Sequence, residues 1–299
     1  MRDAPTLAVE GLGKTFGAVR AVDDLTFSVR PGAVTGFLGP NGAGKTTTLR
    51  MLLGLTRPSQ GRALVGDRTY AEQPVPASLV GAALEASSFH PGRSGIGHLE
   101  VFAGQAGADR ARCRELIEFV GLGHAAQRRV GGYSMGMRQR LGLATALLAD
   151  PPAIVLDEPA NGLDPEGIRW MRGLLRAFAA EGRTVLVSSH VLSEVQHTVD
   201  DVVIIARGRL VHASSLAELS ALAAPQAYVE SPTADALARL CGDRGWTARP
   251  DGAGLVVADV PAAEIGAAAY AGGIELHQLA SRGVGLEDVF LQLTEGGAR

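Results

Sequence analysis

An α/β fold organised around a largely parallel sheet follows from three features of the chain. The short apolar runs Ala33–Leu38, Ala153–Leu156 and Thr184–Val187 have the length and composition of fully buried strands. Helical patterns lie between them, and strands alternating with helices imply parallel neighbours joined by crossovers. Finally, residues 39–46, Gly39-Pro40-Asn41-Gly42-Ala43-Gly44-Lys45-Thr46, match G-x-x-x-x-G-K-[ST] without a break, set between the first strand and a helical segment.

The elements follow in order. Leu7 and Val9, then Val19 and Ala21, then Leu25, Phe27 and Val29 alternate with polar residues as antiparallel strands do. A turn at Pro31-Gly32 feeds the strand Ala33–Leu38. The segment Thr47–Leu53 has helical character and ends near Gly54. After a strand at Leu79–Ala83, residues 86–150 read as a helical subdomain broken by glycines. A helix over 166–181 carries Trp170, Leu174, Leu175 and Phe178 at helical spacing, which predicts that they are core residues. The strand Asp201–Ala206 turns at Arg207-Gly208 into Leu210-Val211. These elements form one domain over residues 6–213. Around 214–225 the composition shifts to Ala, Ser and Leu and ends at Pro225. Beyond it, over 226–299, strands at Ala227–Glu230, Trp246–Arg249, Leu255–Ala258 and Ile274–Leu279 alternate with helices at Thr233–Cys241 and Ala262–Ala271. That is the β-α-β-β-α-β order of a small ferredoxin-like α+β domain, with a closing helix at Leu286–Leu293.

Composition excludes several classes. The 299 residues are 46% hydrophobic and 20% charged with a net charge of −3, so no general electrostatic attraction to nucleic acid is expected. Arg128, Arg129, Arg138 and Arg140 read as a solvated helix face. Cys113 and Cys241 are far apart, lack metal-ligand spacing, and are expected to be free thiols. No signal-peptide core precedes the first strand, and no stretch reaches the ~20 apolar residues of a membrane span. The longest candidate, Leu141–Leu156, is interrupted by Asp150-Pro151-Pro152.

The glycine loop carries the first chemistry. Its glycines let backbone N–H groups turn inward around phosphate oxygens, and the following helix adds its positive end. Lys45 is expected to reach the β- and γ-phosphates of a nucleotide, and Thr46, followed by Thr47, to present a hydroxyl to Mg²⁺. Further on, Ile154-Val155-Leu156-Asp157-Glu158 is an apolar strand ending in two carboxylates. Beside a phosphate loop, Asp157 suits Mg²⁺ and Glu158 suits polarisation of an attacking water. Between the two motifs, Tyr133-Ser134-Met135-Gly136-Met137-Arg138-Gln139-Arg140 opens an apolar helix whose N-terminus can face an anion.

The order of these motifs, continued by Pro159, by Asn161-Gly162-Leu163-Asp164-Pro165 and by Ser189-His190 after a strand, resembles the ATP-binding subunits of ABC transporters over residues 6 to about 213. The segment at Tyr133–Arg140 and the closing Leu286–Thr294 resemble the bacterial drug and antibiotic exporter branch, of bacitracin and daunorubicin type. The resemblance implies an ATPase motor that binds ATP and Mg²⁺, pairs with a second copy of itself or a homologous subunit, and sits on the inner face of the cell membrane through a separate permease. It implies that Ser134 and Gly136 contact the γ-phosphate held by the other subunit, that Asp164 couples the two sites, that His190 hydrogen-bonds the γ-phosphate, and that Phe16 stacks on adenine. The chain departs from the family pattern in three ways. Tyr133, Met135 and Met137 replace the usual residues of Leu-Ser-Gly-Gly-Gln, Phe16 stands for the commoner Tyr, and Glu85 stands where a Gln usually serves Mg²⁺ and the attacking water. The helical region through Gly92, Gly95, Gly97 and Leu99 is the expected permease-docking surface. The alternative function is a soluble ABC ATPase acting on ribosomes or chromosomes. Such proteins usually carry two cassettes or a long coiled coil, and this chain has one phosphate loop and no sustained heptads.

Overall fold

The computed structural model describes residues 3–84, 89–222, 225–283 and 286–296. Two compact units emerge, Met1–Leu216 with Thr294–Arg299, and Ala217–Leu293.

The larger unit contains two sheets. Strands β1 (Leu7–Phe16), β2 (Val19–Val29) and β4 (Gln60–Val65) form an antiparallel sheet in the order β2-β1-β4. The second sheet has the order β5-β6-β7-β3-β8-β9, from β3 (Ala33–Leu38), β5 (Val80–Ala83), β6 (Ala153–Leu156), β7 (Thr184–Ser189), β8 (Asp201–Ala206) and β9 (Arg209–Ser215). Its first five strands run parallel and only β9 is antiparallel. Every residue of β3, β6 and β7 is buried, as continuous apolar strands in a covered parallel sheet require. The Phe27 and Phe37 rings stack at 5.1 Å between centroids and tie the two sheets into one core.

Helix α1 (Lys45–Leu52) leaves the glycine loop after β3, and α5 (Pro165–Ala180) spans the crossover from β6 to β7. Between β5 and β6 lie α2 (Gly95–Ala106), α3 (Arg110–Phe119) and α4 (Met135–Ala146), each begun by a side-chain cap from Ser94, Asp109 and Ser134 in turn. The four-residue α6 (Leu192–Val195) follows β7, and α7 (Leu216–Ala221) follows β9.

Several expectations need correction. The buried stripe of α5 is Gly167, Met171, Leu175, Phe178 and Ala179. Trp170 and Leu174 are only half-buried, one step off that stripe, and the Arg140 guanidinium lies 4.6 Å from the Trp170 ring centre. Of the four arginines read as a solvated face, Arg128 and Arg129 are exposed, whereas Arg138 and Arg140 are half-buried. Arg128, Arg138 and Arg140 donate to the carbonyls of Gly132, Gly131 and Val120 and brace the turns around α4. Gly95 and Leu99 are buried. A Cβ on Gly95 would stand 2.2 Å from the Tyr133 hydroxyl, so this glycine serves packing. The exposed large apolar residues of α2 are Val101 and Phe102.

The smaller unit has an antiparallel sheet in the order β11-β12-β10-β13, from β10 (Pro225–Glu230), β11 (Ala248–Asp251), β12 (Gly254–Ala258) and β13 (Gln278–Gly283). Helices α8 (Ala234–Asp243) and α9 (Ala262–Ala271) contribute Leu237, Cys241 and Ile265 to its core, and α10 (Leu286–Gly296) follows β13 in sequence. Two strands lie later than the sequence pattern suggests. β11 starts at Ala248 and takes in Pro250, which an edge strand tolerates. The last strand begins at Gln278, because Gly272-Gly273 and Ile274 still belong to the turn after α9. Cys113 and Cys241 are buried free thiols. Among the described residues no helix is long and apolar enough to cross a membrane.

Candidate nucleotide site

Three neighbouring strands, β6, β7 and β3, deliver their C-terminal ends to one place, where parallel sheets bind ligands. The glycine loop leaves β3. A Cβ on Gly39 would stand 2.3 Å from the Ile205 carbonyl oxygen, and one on Gly44, at φ +104, would stand 2.5 Å from that of Ala21. Only glycine fits either position. Pro40, Asn41 and Gly42 are exposed and Ala43 is buried. Gly44 caps α1 through its backbone with no side chain engaged. The first N–H groups of that helix are therefore left for an anion. Lys45 is 6% exposed, and its Nζ donates to Gly39 O at 2.7 Å and lies 3.4 Å from Glu158 Oε1. Thr47 is half-buried one turn position on.

The expected metal residues meet directly. Thr46 Oγ1 donates to Asp157 Oδ2 at 2.7 Å. Magnesium prefers oxygen ligands and is usually held by one or two carboxylates with substrate phosphates, and these two oxygens fit it. Among the described residues no cluster of three or more His, Cys, Asp and Glu is arranged to hold a metal ion. Glu85 lies outside the described residues.

Glu158 is the centre of the cluster. Its backbone is left-handed, at φ 49. Its Oε2 lies 2.9 Å from His190 Nδ1, and its carbonyl accepts from Gln139 Nε2 at 3.1 Å. Three of the expected catalytic and binding groups, Lys45, Glu158 and His190, are thus linked in a row, by an ion pair on one side of Glu158 and a hydrogen bond on the other. Sequence reasoning missed Ser188, whose hydroxyl touches both Asp157 and the Glu158 amide. The available signal was a serine in the otherwise apolar run Thr184–Val187 and beyond, since a buried hydroxyl must find partners.

Ser134, Gly136 and Asp164 form a second group. Ser134 Oγ accepts from Met137 N at 3.2 Å and caps α4. A Cβ on Gly136 would stand 2.9 Å from Gly162 O, so the start of α4 packs on the 160–164 loop. Asp164 caps α5, accepting from Gly167 N at 2.7 Å. Tyr133, where the family pattern has Leu, donates its buried hydroxyl to Ala125 O at 2.7 Å. Phe16 is 52% exposed at the end of β1, with Lys14 Nζ 4.9 Å from its ring centre. An open aromatic face of this kind suits a purine.

Comparison with known proteins points to one family. Residues 22–161 match the ABC transporter family, and residues 225–287 match a domain of unknown function. The chain is 42% identical over 208 residues to an ABC transporter ATP-binding protein of Bacillus subtilis (strain 168), spanning 69% of this chain and 68% of that one. It is 42% identical over 202 residues to a bacitracin transport ATP-binding protein of Bacillus licheniformis, spanning 67% and 66%. It is 33% identical over 205 residues to a lantibiotic transport ATP-binding protein of Streptococcus pyogenes, spanning 69% and 89%. Among solved structures, an ATP-binding subunit of an ABC transporter superposes with a TM-score of 0.66 at 27% identity, covering 72% of this chain and 92% of the other.

Proposed function

The chain belongs to the ABC transporter family of ATP-binding proteins, and from that membership we propose that it is the ATP-hydrolysing motor of an exporter of antibiotics or other lipophilic compounds. The observation that carries the reading is the gathering of Lys45, Thr46, Asp157, Glu158 and His190 at the ends of β3, β6 and β7, through the Thr46–Asp157 and His190–Glu158 hydrogen bonds and the Lys45–Glu158 ion pair. The names of the bacitracin and lantibiotic relatives support export.

The chemistry assigned to each residue follows from its contacts. The loop 39–46 and the start of α1 cradle the phosphates, with Phe16 under the base. Phosphate oxygens would draw Lys45 Nζ away from Glu158 Oε1, because they offer it more negative charge. That frees Glu158 to accept a proton from the attacking water while Oε2 stays on His190 Nδ1. Thr46 and Asp157 would hold Mg²⁺, with the Glu85 carboxylate as a further oxygen. When bound, the cation neutralises charge on the transferring phosphoryl group.

Ser134 and Gly136 open α4 at an accessible N-terminus, with Met135 58% exposed beside them. A second copy, or a homologous subunit, would present its γ-phosphate there, so each nucleotide is sandwiched between two chains and Asp164 links the sites. The permease would dock on the outward side of α2. Val101 and Phe102 are exposed there, and Phe89, His98, Phe102 and Arg138 line a cavity of about 140 Å³. This placement puts the chain on the inner face of the membrane through its partner.

The test is calorimetric titration with Mg-ATP, followed by co-purification with the candidate permease. Lys45→Ala should abolish tight binding, since it removes the charge facing the phosphates. Unchanged affinity would show that the loop does not hold nucleotide in this way.

A further inference from the structure

We propose that Ser188 is a positioning residue of the hydrolytic centre, whose one hydroxyl orients Asp157 and Glu158 for their two different tasks. The inference rests on the roles given above to those carboxylates.

The topology creates the need for it. β7 lies between β6 and β3, so the carboxylates at the end of β6 must work across an intervening strand to meet the phosphate loop. The parallel register places Val187 opposite Leu156 and Ser188 opposite Phe37. Ser188 is therefore the residue of β7 level with Asp157, and it is completely buried. Its Oγ donates to Asp157 Oδ1 and accepts from Glu158 N at 2.9 Å. A hydroxyl has one proton to give and lone pairs to receive. An ionised carboxylate only accepts and an amide N–H only donates, so both roles of Ser188 are determined.

Each half of this bridge has a consequence. Asp157 has its two oxygens divided, Oδ1 to Ser188 and Oδ2 to Thr46, so Ser188 fixes the carboxylate plane that faces the metal residues. Consecutive side chains on a strand point to opposite faces. Glu158 escapes that rule by its left-handed backbone, a conformation that a residue with a side chain keeps only when its surroundings impose it. The amide that enters this turn is the one Ser188 holds, and the carbonyl that leaves it is held by Gln139 and by Asn161 N. The turn brings Glu158 to Lys45 and His190.

Steady-state hydrolysis by the purified full-length chain, with Mg-ATP binding measured separately by calorimetry, tests this. Ser188→Ala should lower kcat roughly 10- to 100-fold, the scale of a misplaced catalytic group. It should leave KM for ATP within about threefold and weaken the Mg²⁺ dependence of nucleotide binding. Ser188→Thr, which keeps the hydroxyl, should recover most of the turnover. In the Glu158→Gln background the alanine substitution should cost less turnover than in wild type, because one of the two groups it positions no longer acts, while its effect on the Mg²⁺ dependence of nucleotide binding should persist through Asp157. A kcat within about twofold of wild type, or an equal loss in both backgrounds, would overturn the proposal. Should the alanine variant not fold, Ser188→Cys, a weaker donor of similar shape, must show the same loss and the same dependence on Glu158. Normal turnover by Glu158→Gln alone would instead overturn the role of Glu158. An inactive Glu158→Gln beside a fully active Ser188→Ala would overturn only that of Ser188.

Discussion

His98 should make the larger unit acid-labile, and the size of the effect can be worked out. The residue is 4% exposed on α2. Its ring centre lies 4.8 Å from that of Phe89 and 4.9 Å from that of Phe102. Among the described residues its buried Nδ1 has no hydrogen-bond partner, and the charges that Arg93 and Arg138 bring near it are positive. Burial first, and then the Arg93 charge, push its pKa down from 6.5 to about 4. In the unfolded chain the imidazole takes a proton near its ordinary value, so between those limits the unfolded state binds more protons than the folded one. Stability present above the unfolded pKa is therefore lost as pH falls, starting near 6.5 and complete by about 4. The full slope is about 1.4 kcal/mol per pH unit, or about 2 kcal/mol between pH 6.5 and 5. Urea unfolding of wild type and His98→Gln from pH 8 to 5, followed by circular dichroism, isolates this contribution, because the carboxylates common to both cancel in the difference. The variant should flatten the curve by that amount. Parallel curves, or an imidazole that titrates near 6.5 by NMR in the folded protein, would refute the argument.

Other perturbations act on the site itself. Glu158→Gln should cut hydrolysis by ~10²–10⁴, the usual worth of a positioned general base, and accumulate an ATP-bound dimer visible by sedimentation. Ser134→Arg puts bulk and charge at the start of α4. It should block ATP-driven dimerisation while leaving monomer binding through Lys45 intact, and a normal ATP-dependent dimer in the centrifuge would count against a shared site. Gly44→Ala should lose nucleotide binding in calorimetry and lower the thermal midpoint, because its Cβ would stand 2.5 Å from the Ala21 carbonyl at a φ of +104.

Much of the fold and the site could be read from local pattern, and the exceptions share a cause. The glycine loop, the paired carboxylates and Ser189-His190 are each contiguous in sequence, because a ligand that meets a strand end meets neighbouring residues together. Continuous burial likewise made β3, β6 and β7 recognisable. What periodicity could not supply was the placement of one element against another. Trp170 and Leu174 satisfy helical spacing, yet the stripe that packs runs through Met171 and Leu175. Leu99 and Gly95 sit in a segment punctuated like a surface loop, but Gly95 is small because the Tyr133 hydroxyl lies where its side chain would go. Ser188 is the sharpest case. In sequence it is thirty-one residues from Asp157 and belongs to no motif that touches phosphate. Its role exists only because β7 is inserted between the two strands that carry the motifs. A ligand-contacting residue is tied to its neighbours by the chain, whereas a residue that aims it is tied by register across the sheet. Buried polar positions on the strand between two motifs are therefore where unrecognised positioning groups in such a site should be sought.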